Sequence, residues 1–281
     1  MNRPRFSLIP VMDHEIHITE WGDPDKPSIV MWHGLARTGR DFDELAAALS
    51  DEFFVLCPDT IGRGLSSWSK DPEREYTLEY YTGIASDLMD NYNLDRVGWI
   101  GTSMGGLIGM RMASSHLADR LSWLIINDIG PEIPQQAIDR ILTYAGDSPR
   151  FQTVSEVENW LRTVYAPFGP AADTFWRRMA RSSLRRQKDG TFTTHYDPRI
   201  IVQFSASTDK LSSWDHYARI TLPTHIICGA KSDILTGSIL ERMRTSGPKP
   251  GVTVFQDCGH APSLSRCEDI DVIRKLIDST T

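Results

Sequence analysis

The segment Val97-Gly98-Trp99-Ile100-Gly101-Thr102-Ser103-Met104-Gly105-Gly106 restricts the fold more than any other stretch of this chain. It reads as a short buried strand, then G-x-S-x-G, then a helix starting near Gly105. A strand that turns at once into a helix forces its central residue into a strained backbone, and side chains two positions either way would collide. Glycine at 101 and 105 removes those collisions. The Ser103 hydroxyl then projects from the turn, beside a helix N-terminus whose partial positive charge favours developing negative charge.

The rest of the chain repeats the same alternation. Apolar, β-rich runs lie at Ser28–Trp32, Phe53–Cys57, Val97–Ile100, Leu121–Ile126, His225–Cys228 and Val252–Phe255. Helical patterns occupy Arg40–Leu49, Thr77–Tyr92 and Gly105–His116. Such alternation predicts an α/β fold, a mostly parallel sheet with helices on both faces. Ligands then bind beyond the carboxyl ends of the strands. The rhythm breaks between Pro131 and Trp214, where aromatics and a basic cluster occur in helical contexts without a buried strand. The expected organisation is a core of residues 1–130 and 215–281, with 131–214 inserted as a helical lid over the strand ends.

Composition sets limits. Hydrophobic residues make up 40% and charged residues 24%, as in ordinary soluble globular proteins. The net charge of −7 comes from scattered acids, which argues against a nucleic-acid partner and offers no handle on an anionic membrane. No run approaches the roughly 18 apolar residues of a membrane span, and Pro10 and Asp13 break the stretch after Arg5, so no secretory signal is expected. Cys57, Cys228, Cys258 and Cys267 show neither CxxC spacing nor a histidine ladder, which points to reduced thiols in a cytoplasmic protein, with no metal and no cofactor. A homodimer is left open.

A serine hydroxyl needs a base within hydrogen-bond reach to act as a nucleophile. His260, in Asp257-Cys258-Gly259-His260-Ala261-Pro262, follows the last β-rich run in a loop marked by Gly259 and Pro262; no other histidine has a comparable setting. Two aspartates at strand ends qualify as the acid that orients the imidazole: Asp233 in Gly229-Ala230-Lys231-Ser232-Asp233, and Asp128 in Asn127-Asp128-Ile129-Gly130-Pro131. An oxyanion hole needs two backbone N–H groups. Met104 supplies one and Leu35, in Met31-Trp32-His33-Gly34-Leu35, the other, with His33 bracing the loop. Gly62-Arg63-Gly64-Leu65-Ser66 lacks the ending of a phosphate loop and reads as a structural turn. Trp160 and Trp176 are candidate pocket residues. The cluster Arg177, Arg178, Arg181, Arg185 and Arg186 reads as a solvated helix face rather than a carboxylate trap.

His33-Gly34, Asp59-Thr60-Ile61-Gly62-Arg63-Gly64-Leu65-Ser66, Gly101-Thr102-Ser103-Met104-Gly105-Gly106 and Gly259-His260-Ala261-Pro262 together resemble the α/β-hydrolase superfamily, from about Ile29 to Ile277. Within it the chain is similar to bacterial esterases, lactonases and carbon–carbon bond hydrolases. Haloalkane dehalogenases and epoxide hydrolases carry aspartate where this chain has Ser103. The resemblance implies a small-molecule ester, thioester or lactone as substrate, cleaved through an acyl-enzyme. The alternatives are hydrolysis of a diketone from aromatic degradation and a ligand receptor with residual activity. It also favours Asp233 as the acid over Asp128, because the family usually places that residue after the penultimate strand. The spacing departs from the family pattern, since Asp233 lies four positions after Gly229 where Gly-x-x-Asp is usual.

Overall fold

The computed structural model describes residues 3–204 and 212–280. Among these residues ten strands run in chain order: β1 (Arg5–Val11), β2 (His14–Trp21), β3 (Ser28–Trp32), β4 (Phe54–Pro58), β5 (Val97–Thr102), β6 (Leu121–Asn127), β7 (Leu184–Arg186), β8 (Phe192–Thr194), β9 (Thr224–Gly229) and β10 (Gly251–Phe255). The helices are α1 (Asp43–Leu49), α2 (Pro72–Glu75), α3 (Leu78–Asn91), α4 (Met104–Ala113), α5 (Gln135–Ala145), α6 (Val154–Val164), α7 (Asp173–Ser182), α8 (Trp214–Tyr217), α9 (Gly237–Thr245) and α10 (Cys267–Thr280). Eight strands form one sheet in the order β1-β2-β4-β3-β5-β6-β9-β10. Pairing is parallel from β4 through β10 and antiparallel at β1–β2 and β2–β4.

Side chains on a strand point alternately to opposite faces, so a strand buried on both faces is apolar throughout. Val30, Trp32, Trp99, Leu124 and Ile126 pack on one face with Ile84 and Leu88 of α3 and Ile108 and Met112 of α4. Ile29, Met31, Ile100, Trp123 and Ile125 pack on the other with Leu45 and Leu49 of α1 and Ile273 and Ile277 of α10. Each fully buried side chain of this size contributes about 1.5–3 kcal/mol. Helix starts follow capping chemistry: the Thr77 hydroxyl accepts from the Tyr80 N–H at the start of α3. The expected helix from Arg40 divides into a 3-10 turn, Gly39–Phe42, followed by α1.

The N-terminal hairpin β1–β2 goes beyond the sequence reading. β1 is an edge strand whose Phe6 and Leu8 are exposed, so it lacks the continuous apolar run that marks the central strands.

Between β6 and β9, helices α5, α6 and α7 precede the small β7–β8 hairpin. These two strands of three residues each are too short to leave a period-two pattern, which is why the sequence suggested none. Phe151, Val157, Leu161, Phe175, Trp176, Met179 and Phe192 form a separate apolar cluster here. Residues 205–211 of the expected lid lie outside the described residues. Among the described residues no helix is long and apolar enough to cross a membrane, and the four cysteines are free thiols.

Candidate active site

Ser103 links β5 to α4 with φ +51° and ψ −112°, a backbone that costs a non-glycine residue of order 1–3 kcal/mol. The neighbouring glycines are required by contact. A Cβ on Gly101 would lie 2.2 Å from the Gly105 carbonyl oxygen, and one on Gly105 would lie 2.0 Å from that of Trp32. The Trp32 and Trp99 indoles stack beneath the turn, with centroids 5.4 Å apart. The Trp99 N–H donates to the Gly105 carbonyl at 3.0 Å and fixes the first turn of α4.

His260 reaches this serine from the loop after β10. That loop is pinned across the sheet: Lys231 N–H donates to the Cys258 carbonyl at 2.9 Å, Gly259 N–H to the Pro167 carbonyl at 2.7 Å, and the Asn127 amide to the Pro262 carbonyl at 2.9 Å. His260 Nε2 lies 3.0 Å from Ser103 Oγ, and Nδ1 lies 2.8 Å from Asp128 Oδ2.

Asp128, not the favoured Asp233, stands against the imidazole. The parallel register pairs Thr102 with Asn127, so the residues that follow, Ser103 and Asp128, leave adjacent strands at the same level. Asp128 adopts φ +58° and is fully buried. Its carboxylate accepts from Gly229 N–H at 2.7 Å, from the Ser232 hydroxyl at 2.6 Å and from His260. Asp233 follows β9, one strand further from the serine. It is exposed and paired instead with Arg140, at 2.6 and 3.0 Å. The long spacing after Gly229 was the available signal. A carboxylate can only accept, so His260 carries its proton on Nδ1 and leaves Nε2 to accept from the serine hydroxyl.

The loop after β3 lies beside this group, with a Cβ on Gly34 falling 3.7 Å from Ser103 Cβ. His33 braces it from inside. Its Nε2 accepts from Thr60 N–H at 2.9 Å, so Nδ1 carries the hydrogen donated to the Gly34 carbonyl at 2.7 Å. Burial lowers the His33 pKa from 6.5 to about 4. Between these values the unfolded chain binds a proton that the folded protein refuses, so this contribution to stability is full above pH 6.5 and is lost as pH falls through about 4. Urea unfolding should show a loss of about 2 kcal/mol from this residue between pH 7 and pH 5. The pH slope should flatten in His33→Gln; an equal slope in both proteins would contradict this.

Gly62–Ser66 forms the structural turn expected from its sequence, anchored on Asp59. Asp59 accepts from Gly39 N–H, Leu65 N–H and His17. Burial opposes its charge, but His17 holds the Asp59 carboxyl below its ordinary pKa. The fully buried Arg63 donates to the carbonyls of Leu35 and Ile61 and to the Tyr81 hydroxyl, each at 2.8 Å, and its Nη2 lies 3.5 Å from Met104 Sδ. Sequence reading missed this guanidinium behind both Leu35 and Met104; apart from Ile61, its partners Leu35, Tyr81 and Met104 are distant in the chain.

Above Ser103 and His260 opens a cavity walled by Leu35, Ile141, Val164, Tyr165, Phe168 and Phe175. Trp160 and Trp176 do not line it, which corrects their expected pocket role. Successive helical residues point about 100° apart, so Phe175 faces the cavity while Trp176 turns toward α6, where Arg162 lies 5.6 Å over its ring. Trp160 packs on Phe151 at 5.7 Å. In the basic cluster, Arg178 ties α7 to α1 through Glu44.

The chain matches the alpha/beta hydrolase family over residues 29–270. It is 36% identical over 275 residues to the 3-hydroxybutyrate-oligomer hydrolase of Cupriavidus necator, covering 93% of each chain. The solved structure of an alpha/beta hydrolase from Novosphingobium aromaticivorans is 30% identical with a TM-score of 0.85, covering 99% of this chain and 98% of that one. A solved Rickettsia typhi chain is 28% identical with a TM-score of 0.90, covering 100% and 98%. This chain belongs to the alpha/beta hydrolase family and is a hydrolase.

Proposed function

We propose that the enzyme cleaves carboxylic esters through an acyl-enzyme on Ser103. The observation that carries this reading is the hydrogen-bonded series from Ser103 Oγ through His260 to Asp128, with distances of 3.0 and 2.8 Å, at the base of the cavity. Ser103 Oγ attacks the ester carbonyl carbon while His260 Nε2 takes its proton. The oxyanion forms at the start of α4, where the N–H groups of Met104 and Leu35 are assigned to hold it. Removing one such donor typically costs about 10²–10³ in rate. His260 then returns the proton to the departing alcohol, and a water activated by the same imidazole releases the acid. Asp128 holds the imidazole tautomer and stabilises its charged form. The apolar wall supports a short aliphatic acyl group, and the helices between β6 and β9 serve as the lid. The Cupriavidus relative favours an oligoester of a short hydroxy acid as the natural substrate.

Partitioning tests the acyl-enzyme. In the presence of methanol, the ratio of methyl butyrate to butyrate should be the same from p-nitrophenyl butyrate and from phenyl butyrate, since both pass through one butyryl-Ser103. A ratio that changes with the leaving group would contradict a common intermediate.

A further inference from the structure

Two guanidinium groups line the cavity that holds Ser103 and His260, those of Arg37 and Arg140. Each is paired with a carboxylate, but the pairs are unequal. Arg37 gives Nε and Nη2 to Asp41 at 2.7 and 2.5 Å, and lies 4.8 Å over the Tyr165 ring. The side chains of that pair are 5% and 14% exposed, so separating them strands a buried charge and Arg37 is fixed in the wall. Arg140 on α5 gives Nε and Nη2 to Asp233, in a pair whose side chains are 38% and 51% exposed. An ion pair so open to water is weak and readily exchanged. A guanidinium has five N–H donors; Asp233 takes two, and the Tyr144 hydroxyl on the same cavity wall is the other side-chain partner, a neutral acceptor that a carboxylate can displace. Most of the remaining wall is apolar, so among the described residues Arg140 is the exchangeable cation that a carboxylate entering the cavity meets.

We propose that Arg140 binds a free carboxylate of the substrate, so that the enzyme selects acid-ended oligoesters over the same oligoesters with a neutral end. The proposal rests on the ester-hydrolase reading above and names the substrate class for that site. A planar guanidinium presents paired donors that match carboxylate geometry, and every linear oligomer of a hydroxy acid carries one such carboxylate. It gives Asp233 a different part from the one expected of it: it orients Arg140 and yields to the substrate.

The test compares kcat/KM for the linear 3-hydroxybutyrate dimer as its free acid, the same dimer capped as a methylamide, and p-nitrophenyl butyrate. The natural enzyme should favour the free acid over the methylamide by about 10–100-fold, mainly through KM, as expected for one charge-assisted pair. Arg140→Gln should bring that ratio close to one, and Arg140→Lys should retain part of it. A natural enzyme that does not distinguish the two dimers overturns the proposal, as does an Arg140→Gln protein that keeps the preference or loses activity equally on all three substrates. Turnover of p-nitrophenyl butyrate with no cleavage of either dimer also overturns it while leaving the serine mechanism standing.

Discussion

Ser103→Ala is expected to lower kcat on p-nitrophenyl butyrate by about 10⁶-fold, the scale seen when a triad nucleophile is removed. Alanine cannot attack the carbonyl, and His260 Nε2 loses the hydroxyl it faces at 3.0 Å. What remains is the cavity and the backbone donors, which act on water alone. The fold should be unaffected, because alanine at φ +51° meets the same backbone constraint as serine and removes only the bond to His260. A loss of less than tenfold in a protein with unchanged thermal unfolding would place the nucleophile elsewhere.

The second large effect separates the two aspartates. Asp128→Asn should lower kcat by about 10⁴-fold, because an amide cannot hold His260 in the required tautomer or stabilise its charged form. The introduced amide would also present an NH₂ group where Gly229 N–H, the Ser232 hydroxyl and His260 now all donate to the two carboxylate oxygens, so some loss of stability should accompany the kinetic change. Asp233→Asn should change kcat on p-nitrophenyl butyrate by less than about threefold, since it removes only an exposed ion pair. The reverse result, with Asp233→Asn inactive and Asp128→Asn active, would contradict the geometry of the site.

Which parts of this were readable from the chain alone follows from how local each signal is. The turn at Ser103 was legible because its signature, a strand, G-x-S-x-G and a helix, lies within the Val97–Gly106 segment, even though the carbonyl that crowds Gly105 belongs to Trp32. The central strands were legible because burial on both faces leaves them largely apolar. His260 could be placed by chain order and by its Gly–Pro loop. The acid could not, because choosing between Asp128 and Asp233 depends on strand order and register: β6 lies between β5 and β9, which brings Asp128 level with Ser103. Resemblance to the family's usual pattern pointed the wrong way, and the long spacing from Gly229 was the clue against it. Trp160 and Trp176 show a related limit, since helical spacing says which residues share a face but not whether that face meets a cavity or another helix. Arg63 was illegible for a third reason: its partners lie on the loop after β3, on α3 and at the start of α4, and only the fold assembles them.

The most direct test of Ser103 as the residue that carries the acyl group is intact-mass analysis and peptide mapping after treatment with a fluorophosphonate. One adduct per chain is expected, on the peptide containing Ser103, forming in step with the loss of esterase activity and absent from Ser103→Ala. Complete inactivation with the adduct on another residue, or full esterase activity in a protein whose Ser103 is blocked, would contradict it.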